Sequence, residues 1–227
     1  MSKIIQLIIV NLTISLIMCN NPKLLVLCLF MIPFFKIKKF DWFSIVKFLT
    51  IILCSIIIYC YIGVYNKFIH NLIIILMSIN IIEAIFKELE IIVTFNSLVG
   101  LLLILNIQCY KNQKYETPYM VFPFDWNWIM LYTIWNLCFV YSSKCTISTG
   151  VILITPIVLS LIYGSETWIY HRTISLLVHL IMRVSECTDL YNPKKSFLVL
   201  DDIKRYDIYS HIFGFFNLIF YLLVKIN

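Results

Sequence analysis

Charge is what this chain has least of. Lys and Arg number 18 and Asp and Glu 12, so 13% of its 227 residues are charged, against roughly a quarter in soluble globular chains. With 61% apolar residues and a mean hydropathy of +0.92, so few charged side chains cannot cover a soluble domain of this size. The bilayer is the expected covering phase, and lipid the first expected partner.

Catalytic signatures are missing as well. The chain has no GxSxG, HExxH, P-loop or GxGxxG pattern. Gly164-Ser165-Glu166 is too little for the glycine-rich serine turn of a rhomboid-like protease. The four histidines are scattered, which leaves no cluster with carboxylates for an intramembrane metalloenzyme. None of the eight cysteines has CxxC or Cys/His zinc spacing. Cys28, Cys54 and Cys138 lie inside apolar runs, where a thiol acts as a small hydrophobe. Cys19, Cys60 and Cys109 can share one membrane face and are expected to pack rather than pair. No lysine lies mid-span in the last apolar run, against a retinal Schiff base. No metal, cofactor or nucleic-acid partner is expected, no catalytic residue stands out, and an enzyme is the less favoured class. No internal repeat is visible, and the sequence sets no oligomeric state.

What is present is a segmentation. Nine apolar stretches hold most of the chain, and nearly all charges fall between them. Phe48–Asn66, Ile91–Tyr110, Trp126–Ser143, Thr146–Gly164 and Ile208–Val224 carry no charge and approach the roughly 20 residues a transmembrane helix needs. Ile4–Cys19 and Phe68–Phe86 follow closely, Leu24–Phe35 is short, and Trp168–Met182 requires Arg172 near its end. Spans in lipid must be helices or closed barrels, and barrel strands alternate polarity. These runs are continuous, so helix is expected despite their many β-branched isoleucines. The fold class is therefore all-α: one polytopic transmembrane bundle over residues 1–227, of eight to nine helices, with no soluble domain. Lys3 and Ile4–Met18 resemble the start of a signal peptide, but no small-residue cleavage site follows, so an uncleaved first helix is expected.

With nine helices, one side collects Lys3, Lys36, Lys38, Lys39, Lys87, Lys144, Arg183, Lys194, Lys195, Lys204 and Arg205, which is 11 basic residues. The other has Lys23, Lys67, Lys111, Lys114 and Lys225, which is 5. The positive-inside rule then places the N-terminus in the cytoplasm, and the expected site is a bacterial inner membrane. Trp126, Trp128 and Trp168 fall at outer ends and Trp42 at an inner one, as an aromatic belt requires. Two loops are long, Lys111–Asp125 and Arg183–Arg205.

Polar residues inside the spans are the functional candidates. An intramembrane carboxylate marks a functional site by default, which singles out Glu83, although Lys87 at i+4 and Glu88 and Glu90 beyond it also suit a charged helix end. Asn80 shares its face. A tight turn at Lys87–Glu90 would bring Asn96 back to similar depth, so Asn80, Glu83 and Asn96 are expected to meet. Gly100 would allow close approach on the Asn96 face. Trp128, Tyr132, Trp135 and Asn136 form one helical face, either an aromatic packing stripe or a cavity wall. Arg172 near an outer end can snorkel, with Asp125 and Glu166 as expected partners. His179 lies about 16 Å along the helix from Trp168, where a histidine suits proton relay or a structural hydrogen bond. His211 and Asn217 complete a polar layer toward the cytoplasmic half.

Asn80-Ile-Ile-Glu83-Ala84, Asn96-x-x-x-Gly100 and Trp128 through Tyr132-Thr133-x-Trp135-Asn136 cover the central third. In these pieces the chain resembles an uncharacterised family of multi-pass bacterial membrane proteins, a domain of unknown function. The resemblance implies a multi-pass fold and no assigned chemistry. Three functions remain open: passage of a small polar solute, with proton coupling through Glu83 and His179; an enzyme acting on a lipid or isoprenoid; and a non-catalytic scaffold. Only Pro33 and Pro156 interrupt spans, fewer breaks than transporters often show.

Overall fold

The structure, a computed structural model, describes residues 3–21, 24, 42–60, 67–90, 93–107, 122, 124–142, 147–184 and 203–226. Its elements are helical throughout, with no strand among the described residues. They are α1 (Lys3–Asn20), α2 (Trp42–Cys60), α3 (Lys67–Glu90), α4 (Thr94–Leu105), α5 (Trp126–Ser142), α6 (Ile147–Tyr163), α7 (Trp168–Val184) and α8 (Ile203–Ile226). A 3-10 turn, Ser165–Thr167, joins α6 to α7. The short stretch Leu24–Phe35 beyond its first residue, and most of both long loops, lie outside the described residues.

Eight of the nine apolar stretches coincide with helices, but three bounds differ in ways that matter. Helix α2 begins at Trp42, six residues before the expected start, so Lys47 lies within the helix. Helix α3 runs on through Lys87–Glu90; that segment is its last turn, not a loop. Helix α4 has only 12 residues, about 18 Å at 1.5 Å per residue. Among the described residues one helical segment, Phe68–Glu90, is by length and composition sufficient to cross a membrane. Shorter apolar helical stretches are Ile8–Met18, Ile45–Cys60, Thr94–Leu105, Gly150–Tyr163 and Ile208–Val224.

The short helix α4 packs against α3, α5 and α8. A second group joins α1, α6 and α7, with α2 bridging α3 to α7 and α5 touching α6. Hydroxyl side chains within helices bond back to their own turns: Ser55 donates to the Ile51 carbonyl at 2.8 Å, Thr133 to Ile129 at 2.8 Å and Ser142 to Cys138 at 2.8 Å. Each such bond satisfies a buried hydroxyl without a partner helix. Helix α6 ends at Gly164, whose φ of +100° is a conformation that side chains with a Cβ rarely adopt. A Cβ there would also strike the Glu166 carboxylate.

Polarity is inverted on several helices. On α8 the buried positions are Ser210, Gly214, Asn217 and Tyr221, one stripe at i, i+4, i+7 and i+11, while Ile212, Phe213, Phe216, Ile219, Phe220 and Leu223 are exposed. On α1 Asn11 and Ser15 are buried and Ile5, Ile9 and Ile17 exposed. Helix α3 is mixed: it buries Glu83 and Glu88 together with Ile73, Leu76, Ile81 and Ile85, and exposes Ile75, Ile79, Ile82 and Phe86.

Candidate functional site

Two polar centres form inside the helices. The first surrounds Asn96 in the first turn of α4. Its amide nitrogen donates to the Glu88 carboxylate and, at 3.1 Å, to the Trp135 carbonyl. Its amide oxygen accepts from Asn217 Nδ2 at 2.9 Å. The Trp135 indole N–H returns a bond to the Asn96 backbone carbonyl at 2.9 Å. Ser97 Oγ lies 3.3 Å from the second Glu88 oxygen and 2.8 Å from the Val93 carbonyl. Asn96 thus uses both amide hydrogens and its oxygen, tying together α3, α4, α5 and α8. Only Asn217 Oδ1 in this knot has no hydrogen-bond partner among the described residues.

Glycine makes this approach possible. A Cβ on Gly100 would sit 3.0 Å from Trp135 Nε1 and 2.9 Å from Ile85. A Cβ on Gly214 would sit 3.0 Å from the Asn96 backbone nitrogen. Glu88 is fully buried, and its carboxylate meets the first turn of α4, where the helix dipole favours negative charge. The other end of α4 is closed by Asn106, whose Nδ2 donates to the Leu102 carbonyl at 2.8 Å, and by Tyr221, whose hydroxyl donates to that carbonyl at 3.1 Å.

The second centre surrounds Arg172 on α7. Proline cannot donate to the carbonyl four residues earlier, so Pro156 leaves the Ile152 carbonyl free within α6. Arg172 Nη1 donates to that carbonyl at 3.1 Å, and Ser175 Oγ lies 3.4 Å from it. The guanidinium also faces the Tyr132 ring, 5.9 Å from its centroid. Asn80 Nδ2 donates to the Tyr132 hydroxyl at 3.3 Å. Arg172, Tyr132, Asn80, Thr50 and Thr173 share with apolar neighbours the wall of a cavity of about 20 Å³, room for one water-sized occupant.

An aromatic column runs past both centres. Rings stack in the order His70–Phe122, Phe122–Phe124, Phe124–Trp128 and Trp128–Tyr132, at 3.9, 4.5, 4.5 and 5.2 Å between centroids. Tyr132 lies 5.8 Å from Trp135, and Trp168 meets Phe124, Trp128 and Tyr132 edge-on. Trp128 Nε1 donates to the Leu103 carbonyl at 3.2 Å.

Several sequence expectations change on these coordinates. Asn96 bonds Glu88 and not Glu83, because the chain reverses after Glu90 and so places Glu88 beside α4. Arg172 is 4% exposed and does not snorkel. Among the described residues it makes no ion pair with Asp125 or Glu166; the carbonyl freed by Pro156 holds it instead. Trp128 and Trp168 are buried in the column, not displayed in a belt, and Trp126 is half-buried. Asn136 turns its amide to the Tyr132 carbonyl of its own helix at 3.3 Å. Glu83 and His179 are buried and His211 half-buried, and none of the three lines the Arg172 cavity. Cys54, Cys60 and Cys138 are free thiols. Among the described residues no group of three His, Cys, Asp or Glu is placed to hold a metal.

Sequence reasoning passed over Glu88, taken as part of a charged turn, and the link from Pro156 to Arg172. A signal for the second was present, since an in-helix proline frees a carbonyl at a known offset. No protein-family model matches the chain, and no curated protein or solved structure is detectably similar to it.

Proposed function

We propose that the chain is a polytopic membrane protein of the bacterial inner membrane, N-terminus cytoplasmic, that passes a small polar solute through its polar interior. The inversion of polarity supports the membrane part. Helices that bury Asn, Ser and Glu and expose Ile, Phe and Leu suit a hydrocarbon solvent, where small and polar residues hold helices together. The excess of basic residues on one side supports the orientation. A helix too short to span, enclosed by α3, α5 and α8, suits the interrupted helices of transport proteins.

The observation that carries the solute reading is Arg172, a charged side chain held 4% exposed beside a small cavity whose wall also carries Asn80 and Tyr132. Ionisable groups inside spans mark solute and ion pathways. Proton coupling through Glu83 and His179 is the finer part of the reading, supported by the burial of both. The test is uptake into proteoliposomes across a panel of small polar and charged solutes. The reading expects uptake above protein-free vesicles that Glu83→Gln and His179→Ala reduce. Uptake equal to empty vesicles across the panel sinks it.

A scaffold is the second reading, favoured by the closed hydrogen bonding around Asn96. Co-purification of a stoichiometric partner together with no uptake would establish it over permeation.

A further inference from the structure

We infer that the cavity beside Arg172 binds a small monovalent anion of halide size. The inference rests on the permeation reading for its role and deepens it by naming the class of solute. A guanidinium stays charged at every accessible pH. Burying such a charge without an opposite charge costs several kcal/mol. Around Arg172 the compensation is partial: one neutral carbonyl at 3.1 Å and one ring face at 5.9 Å. Its Nε–H is buried without a hydrogen-bond partner among the described residues.

The wall explains the sign of the ligand. Among the described residues no Asp or Glu lines the cavity. Its polar groups are donors with capacity to spare. Tyr132 accepts from Asn80, so its own hydroxyl proton is uncommitted among the described residues. The Asn80 amide keeps a second hydrogen. Arg172 adds the positive charge. Two donors, a guanidinium and no carboxylate among the described residues favour an acceptor carrying negative charge. The volume, about 20 Å³, is room for one water-sized ion. Trp168 and Trp128 lie 5.2 Å from the Tyr132 ring, so occupancy next to that ring has an optical readout.

The test titrates the purified full chain in detergent with sodium bromide against sodium gluconate at fixed ionic strength, reading tryptophan fluorescence and melting temperature. Wild type should give a saturable change in fluorescence and a higher melting temperature in bromide. Arg172→Gln should weaken apparent affinity at least about tenfold, the loss of one charge-assisted contact. Tyr132→Phe should weaken it about threefold, as expected for one neutral hydrogen bond. Arg172→Lys keeps the charge and should retain weaker, saturable binding, which serves if Arg172→Gln fails to fold. A linear, non-saturating response in wild type, or affinity equal to wild type in both Arg172→Gln and Tyr132→Phe, overturns the anion site. Halide flux in proteoliposomes is read separately. Binding without flux keeps the site and sinks permeation; uptake of an uncharged solute without bromide binding does the reverse.

Discussion

The knot around Asn96 and the cavity beside Arg172 are neighbours, joined through the rings of Trp135 and Tyr132 on one face of α5, 5.8 Å apart. They handle buried polarity in opposite ways. Around Asn96 a carboxylate, two amides, an indole and backbone carbonyls meet donor to acceptor with one oxygen left over. Beside Arg172, among the described residues, a full positive charge meets one neutral carbonyl and one ring face at the wall of a small cavity. A satisfied network fixes helices relative to one another, and a partly satisfied one keeps capacity for something else. Stability should therefore concentrate at the first and ligand response at the second.

The sharpest way to break that contrast is Asn96→Leu. It takes a partner from the Glu88 carboxylate, which keeps Ser97, and from the Trp135 carbonyl and the Asn217 amide, and should cost about 3 kcal/mol. Unfolding in a mixed-micelle titration measures it, and the loss should be the same in bromide and gluconate. A loss that bromide rescues would put function, not architecture, at the knot. Gly214→Ala comes next, at about 1–2 kcal/mol of overpacking, because its neighbour is the Asn96 backbone nitrogen, which cannot swing aside. Ser175→Ala should cost about 0.5 kcal/mol, since Arg172 still holds the Ile152 carbonyl. Asn136→Leu should be close to neutral, within about 0.5 kcal/mol, because that side chain bonds only its own helix. A large loss at Asn136 would show that the knot extends further along α5 than its hydrogen bonds indicate.

Much of the helical layout was legible because continuous apolar runs leave the backbone few options. Eight runs coincide with helices, and the face Trp128, Tyr132, Trp135 emerged from spacing alone. The depth of individual residues was less legible. Glu88 looked solvated because Lys87 and Glu90 flank it, and those two do pair at 2.7 Å on the exposed side; helical geometry turns Glu88 the other way. Asn96 and Asn217 lie 121 positions apart, and no local pattern links residues so distant. Arg172 looked like a snorkelling end residue because the acceptor that holds it is a backbone carbonyl, invisible in a list of side chains. For Trp128 and Trp168, the belt rule gave way to the column, which stacks their rings inside.

The stripe Ser210–Gly214–Asn217–Tyr221 also carries a lesson about synthesis. Helix α4 is made early, yet Asn96 and the Leu102 carbonyl receive partners 121 and 119 positions later. Until the ribosome has passed residue 221, the Asn96 amide oxygen waits for Asn217, while Asn106 already caps the Leu102 carbonyl. In order of synthesis, the contacts from α8 are therefore the last that α4 receives.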